Sequence, residues 1–320
     1  MAMIGDTRTV AGTAAFRHEA LLYAGPDGFL DGALPFVRAA LQAEEPILVM
    51  VGPAKIDLLC EALGGDVHDI AFADMQKVGA NPARIIPAWR DFVDERGAED
   101  RAVHGIGEPI WSGGSPAELV EGQRHESLLN LAFADGPAMR LLCPYDTDSL
   151  DPAVIAEVHR SHPTIVEDGA EHPSDGYHGI EVAAAPFAHP LTEVPVDAAA
   201  LTYSRGTLDH VRQFVAEWAD RAGVNFTRRA DLVLAVNEVA TNSVLHGGGE
   251  GDLLVWIERD AVVCELRDSG RFDHPLAGRV RPEPGRVGGH GLWLANQVCD
   301  LVQVRSFPTG TVVRLHLRRS

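Results

Sequence analysis

Lysine is almost missing from this chain: Lys55 and Lys77 are the only two in 320 residues. Lysine and arginine together number 27 against 46 acidic residues, a formal net charge of −19 at pH 7. Binding to DNA or RNA is driven by neutralising phosphates with basic side chains, so direct nucleic-acid recognition is not expected. The deficit is uneven. Residues 1–180 hold 12 basic against 29 acidic residues, a net of −17, and residues 181–320 hold 15 against 17, a net of −2. The acidic front half reads first as a solubilising surface and second as a face for a basic partner. Cysteine is scarce too. Cys60, Cys143, Cys264 and Cys299 are scattered, without zinc-type spacing or a disulfide framework, and are expected to be reduced and mostly buried. No run approaches the ~18 apolar residues of a membrane span. Residues 1–15 lack the basic segment and apolar core of a signal peptide, so a cytoplasmic location is expected. A phosphate loop is also lacking. After Ile47–Val51 comes Gly52-Pro53-Ala54-Lys55-Ile56, not Gly-x-x-x-x-Gly-Lys-Ser/Thr. Without the glycines Lys55 reads as a surface lysine, and no nucleotide is assigned to the front half.

With 46% hydrophobic and 23% charged residues, the chain is long enough for two domains with real cores. The front half alternates apolar runs with helical patterns. Strands are expected at 21–23, 47–51, 70–72, 103–106 and 139–143, and helices at 30–43, 54–63, 82–95, 116–133 and 152–159. That order argues for an α/β domain with a mostly parallel sheet and helices on both faces. The stretch 161–200, rich in Pro, Gly and Ala, reads as linker, and its His172, His178 and His189 read as solvated. Its prolines and the apolar run 182–187 suggest that part of it packs.

The last third carries three motifs in fixed order: Glu238-Val239-Ala240-Thr241-Asn242, Asp268-Ser269-Gly270, and Gly289-His290-Gly291-Leu292. Residues 229–246 read as a helix, with Val233, Val236, Ala240 and Val244 on its apolar side. Glu238, Asn242 and His246 stack at four-residue steps on the polar side. An amide oxygen from Asn242 suits a magnesium ion already balanced by a triphosphate. Glu238, one turn away, is placed to accept a proton from an attacking hydroxyl. Asp268 ends the strand-like run 261–266, where a carboxylate can accept from an adenine amino group, and Gly270 allows close approach of the base. Gly288, Gly289 and Gly291 open a helix expected at 292–299, a place suited to phosphate. Between these motifs, residues 271–287 read as a mobile lid whose Arg279, Arg281 and Arg286 can reach phosphate oxygens.

In this order the motifs resemble the GHKL (Bergerat) ATPase fold over about residues 200–318, an α+β sandwich. "LVLAVNEVATNSVLHGGG" and "GGHGLWLANQVCDLVQV" resemble its anti-sigma-factor serine/threonine kinases, as does Asp-Ser-Gly-Arg-Phe in place of a longer glycine box. The resemblance implies ATP and Mg2+ as cofactors, Glu238 as base and Asn242 as the magnesium-holding residue. It implies a nucleotide site of Asn242, His246, Asp268, Gly270, Arg286, Gly288, Gly289, His290, Gly291, Leu292 and Thr311. It also implies a sigma factor and an antagonist protein as partners, and a homodimer. Phrases in the front half, "HEALLY" (18–23), "GEPIW" (107–111), "RHESLLNLAF" (124–133) and "LLCPYD" (141–146), resemble the MEDS sensory domain, a RecA-like α/β module, over about residues 14–165. His18, Tyr23, Glu108, Trp111, His125 and Glu126 are the candidates for a small-molecule sensor pocket near the strand ends. His125-Glu126 also opens phosphoacceptor motifs in histidine kinases, but within an α/β domain it reads as structural.

The expected organisation is thus a sensor (14–165), a linker (166–199) and an ATP-dependent kinase domain (200–318), with the sensor docked on the kinase. The alternatives are a non-catalytic module whose partner surface is shaped by ATP, and an atypical histidine kinase.

Overall fold

The computed structural model describes residues 16–97, 101–110, 114–136, 138–181, 189–272, 274–283 and 289–319. The front half runs β1 (Arg17–Tyr23), α1 (Gly25–Gln42), β2 (Ile47–Val51), α2 (Pro53–Leu63), β3 (Ile70–Asp74), α3 (Met75–Val78), α4 (Ile85–Arg96), β4 (Val103–Gly107), α5 (Pro116–Ala132), β5 (Met139–Asp146), α6 (Pro152–Ser161), β6 (Thr164–Glu167) and β7 (Ala170–Pro173). Its seven strands lie in the order β3-β2-β4-β5-β1-β6-β7. All neighbours are parallel except β6 and β7. Helices cover both faces, so β2 is buried along its whole length, the mark of a parallel sheet core. The expected elements are present, displaced at their ends by the caps. Proline in the first turn starts α1, α2, α5 and α6, where its missing N–H costs no helical bond. Ser115 and Glu118 add a capping box to α5. The hairpin β6–β7 extends this sheet to Pro173, inside the stretch read from sequence as linker. The apolar run 182–187 lies outside the described residues.

Glycine gives β4 its fit. Trp89 of α4 is 1% exposed. A Cβ on Gly105 would fall 2.6 Å from Trp89 Cζ3 and 2.8 Å from Cη2. Overpacking of this kind costs about 1–3 kcal/mol, so Gly105→Ala is expected to lower the unfolding free energy by that amount and the denaturant midpoint with it. An unchanged midpoint would show that the indole has room to move.

The back half runs β8 (Ala199–Ser204), α7 (Leu208–Arg221), α8 (Phe226–His246), β9 (Glu250–Ile257), β10 (Ala261–Asp268), α9 (His290–Val298), β11 (Leu301–Phe307) and β12 (Gly310–Arg318). Its antiparallel sheet has the order β11-β12-β10-β9-β8. The three helices pack on one face, around Leu232, Val236, Val239, Leu266 and Leu315. The α8 helix starts at Phe226, earlier than its apolar repeat shows, because Asn225 caps it by accepting from the Arg228 N–H. On the opposite face Arg314 donates to Thr192 Oγ1 and to Thr192 O, both at 2.7 Å, which ties the inter-domain segment to the sheet. Among the described residues no helix is long and apolar enough to cross a membrane.

Candidate nucleotide-binding site

The end of α8, the end of β10 and the start of α9 converge on a cavity of about 330 Å3. Asn242, His246, Asp268, Gly270, Gly289, Leu292 and Thr311 line it, with Val239, Leu245, Phe272, Val304 and Val313 as apolar wall. Asp268 is held at both oxygens: Oδ2 accepts from Ser243 Oγ at 2.7 Å and Oδ1 from the Gly270 N–H at 2.8 Å. Thr311 Oγ1 donates to Gly270 O at 2.9 Å, so β12 fixes the same turn. Ser269 donates through Oγ and N–H to Gly247 O, at 3.0 and 3.1 Å, joining the β10 turn to the end of α8.

The glycines keep this packing open. A Cβ on Gly247 would fall 2.4 Å from Asp268 Cγ, and one on Gly270 would fall 2.7 Å from Gly247 Cα. The first residue of α9 follows Gly289, whose φ of +83° is the left-handed conformation that glycine adopts without strain.

Glu238 does not line the cavity. It lies one turn before Asn242, half-buried, and both side chains face the start of α9. A Cβ on Gly291 would fall 2.9 Å from Asn242 Nδ2 and 3.3 Å from Glu238 Oε2. The structure thus brings Glu238, Asn242, Asp268, Gly270, Gly289, Gly291, Leu292 and Thr311 to one region. His246 and His290 are exposed at its edge, and Arg286 and Gly288 lie outside the described residues. The residues fit a purine nucleotide: a fixed carboxylate acceptor, an apolar wall, and glycines whose Cβ would fill the space. The Asn242 side chain carries an amide oxygen, the kind of hard ligand that magnesium prefers. Sequence reading missed Ser243, which the helical repeat assigns to the apolar face. It is buried there, yet its hydroxyl holds Asp268.

The arginines of the lid do something else than expected. Arg279 is 5% exposed and donates to Glu121 Oε2 of α5 at 3.0 Å, while Arg281 donates to Asp91 of α4 at 2.8 Å. Both are committed to the front domain rather than free to reach phosphate. Burial, then the neighbouring Arg124, lowers the Arg279 pKa to about 10, so it stays charged at neutral pH. Glu121 also accepts from Arg305 of β11 at 2.8 Å, and Leu276 packs on the front-domain core. The far end of α9 is held as well. Arg84 donates to Asn296 O and Cys299 O, both at 2.8 Å, and Asn81 donates to Asn296 O at 3.2 Å. These satisfy carbonyls that a helix end leaves open, with a cation at the favourable pole. Asn296 in turn donates to Gly278 O at 2.9 Å, tying α9 to the lid segment.

Among the described residues the front-domain candidates make two groups of contacts. Tyr23 and Glu108 lie at the strand ends with Lys55, which ion-pairs with Glu108 and stands 5.3 Å from the Tyr23 ring centroid. Lys55 is therefore a partner of a buried carboxyl and not a free surface lysine. Burial raises the Glu108 pKa, and Lys55 opposes that shift. His18 and Glu126 sit together elsewhere, 3.0 Å apart in the interior. His125 is fully buried, and burial lowers its pKa to about 3, which leaves it neutral and out of reach of a phosphoryl donor. Trp111 lies outside the described residues.

Residues 17–163 match the family described as MEDS, the MEthanogen/methylotroph, DcmR Sensory domain. Residues 202–317 match the histidine kinase-like ATPase domain. The chain therefore joins an N-terminal MEDS domain to a C-terminal ATPase domain of the GHKL kind. Among solved structures, the RsbU and RsbW domains of Rv1364c from Mycobacterium tuberculosis are similar at 20% identity, over 39% of this chain and 33% of that one, with a TM-score of 0.30. The Acinetobacter baumannii histidine kinase AdeS is similar at 10% identity, over 39% of this chain and 70% of that one, with a TM-score of 0.22. The chain spans about a third of the length of the first of these structures. A comparison with curated proteins found no match.

Proposed function

We propose that this chain is a cytoplasmic ATP- and magnesium-dependent signalling kinase that phosphorylates a serine or threonine of an antagonist protein and acts as an anti-sigma factor. The observation that carries the reading is the placement of Glu238 and Asn242 against the start of α9, beside the cavity built on Asp268. Asp268 and Gly270 would hold the adenine, and Asn242 would hold the magnesium ion. ATP would supply the γ-phosphoryl group, and magnesium would neutralise its charge. Glu238 would accept the proton of the attacking hydroxyl. Positioning and electrostatics would provide most of the rate. In this reading the unmodified antagonist and a sigma factor compete for the kinase domain, which works as a homodimer, while the front domain sets the competition in response to a small molecule.

Labelled γ-phosphate transfer to a captured partner, stable to acid, is the expected result. ATP binding without transfer would favour a non-catalytic binding module, and an acid-labile product would favour a histidine kinase. Asp268→Asn tests the base of the cavity. It puts an amide where an acceptor is needed for both Gly270 and adenine. Losing one charge-assisted hydrogen bond of about 2 kcal/mol lowers ATP affinity about 30-fold. Calorimetry on the full chain measures this, and an unchanged affinity would remove Asp268 from the site.

A further inference from the structure

The front domain holds a second constellation, unrelated to the nucleotide cavity. His18 of β1, Glu126 of α5, Cys143 of β5 and His162, just beyond α6, each present one ligand-type atom, all within 4.8 Å of one another. All four residues are at most 2% exposed. His18 Nε2 lies 3.0 Å from Glu126 Oε2 and 3.5 Å from Cys143 Sγ, and His162 Nε2 lies 3.0 Å from the same Glu126 oxygen. Tetrahedral zinc, with bonds of about 2.0–2.3 Å, sets its ligand atoms about 3.3–3.7 Å apart. These three spacings need to change by only a few tenths of an ångström, and the remaining pairs, none beyond 4.8 Å, by at most about 1.5 Å.

The tautomers make the case. Asn130 donates through Nδ2 to Ser161 O at 2.8 Å, so the atom it turns to His18 Nδ1, at 3.2 Å, is its acceptor oxygen. His18 Nδ1 must therefore carry a proton. His162 Nδ1 lies 2.9 Å from Val158 O, again an acceptor, and must carry one too. Both neutral rings then turn the lone pair of Nε2 toward the Glu126 carboxylate. Among the described residues, buried His162 Nε2, although 3.0 Å from Glu126 Oε2, makes no well-formed hydrogen bond, and neither does buried Glu126 Oε1. Lone pairs aimed at a carboxylate in a dry interior repel it, and a cation resolves the conflict. Two imidazolium protons are a poor cation, since the ring centroids are only 4.1 Å apart. A single divalent ion serves all the groups.

We infer that His18, Glu126, Cys143 and His162 form a closed site for one zinc-class divalent ion. The donor set of two imidazoles, one carboxylate and one thiol suits such a metal, and the second ring nitrogens are already anchored as metal-bound histidines require. On binding, the Cys143 thiol gives up its proton to solvent as the metal–sulfur bond forms. The histidines lose no proton, because their Nε2 atoms carry none. The dication, the thiolate and the carboxylate then sum to zero charge, which is what burial favours. With four protein ligands and no open position the ion stabilises the domain and does no catalysis.

The experiment uses the full chain, purified without a metal-affinity step. Elemental analysis is expected to find about one zinc-class ion per chain, and refolding with Co2+ alone is expected to give a thiolate-to-cobalt charge-transfer band. That band should vanish in Cys143→Ser and persist in Cys60→Ser. If Cys143→Ser does not fold, X-ray absorption of the cobalt-loaded parent decides instead: one sulfur and three nitrogen or oxygen neighbours support the site. A folded parent that takes up no stoichiometric ion overturns the proposal. So does a band that survives Cys143→Ser, or a metal shell without sulfur.

Discussion

Glu238→Ala is expected to lower phosphoryl transfer about 100- to 10,000-fold, the usual contribution of a positioned general base, and to leave ATP affinity within about threefold. The asymmetry follows from position. Glu238 faces the start of α9 and stays out of the cavity wall, so its loss removes no contact to the base of the nucleotide. Asn242 lines the cavity as well as facing α9, so Asn242→Ala should weaken magnesium-linked binding in addition. Single-turnover transfer and calorimetry on the same preparations separate the two effects. Transfer at the parental rate by Glu238→Ala would take the base assignment away from this residue.

Glu121→Ala is expected to destabilise the protein by about 3–5 kcal/mol, the cost of breaking a buried pair and stranding the charge that remains. Here two guanidinium groups are stranded, since Arg279 and Arg305 are 5% and 4% exposed and both bond the Glu121 carboxylate. Among the described residues, Arg279 Nη1 and Arg305 Nε already lack partners, and beyond Glu121 Arg305 has only its bond to Val304 O at 3.0 Å. Denaturant unfolding followed by a probe in each domain measures the loss. A change below about 1 kcal/mol would mean that water reaches the freed arginines. The same carboxylate joins the lid segment to the front domain. Glu121→Gln, which keeps the shape and removes the charge, is therefore expected to change ATP affinity through the lid. A front domain can bias the site only through contacts that differ between two arrangements, and this buried cluster is a contact between the domains on which such a difference can be tested.

Much of this was written in the chain. The alternation of apolar runs and helical patterns in the front half determined its parallel sheet, because a buried strand and an amphipathic helix have different repeats. Glu238, Asn242 and His246 share a face because four residues make about one turn, and Asp268 ends a strand that its apolar run announces. The three motifs therefore met at one place without any knowledge of the fold. Other features had no local signature. Residues 164–173 look like the start of a Pro- and Gly-rich linker, and only the free edge of β1 makes strands of them. Ser243 reads as core, and its bond to Asp268 depends on how α8 lies over β10. Arg279 and Arg281 are spaced as well for phosphate as for anything else. Their commitment to Glu121 and Asp91, 158 and 190 residues away, was decided by domain docking. His18, Glu126, Cys143 and His162 likewise follow no sequence spacing, since strands and helices far apart in the chain deliver them to one point. Repeats and caps act between neighbours in sequence, and the sequence by itself determines what they govern. Buried charge must find its partner wherever the packed chain places one, and that choice belongs to the tertiary structure alone.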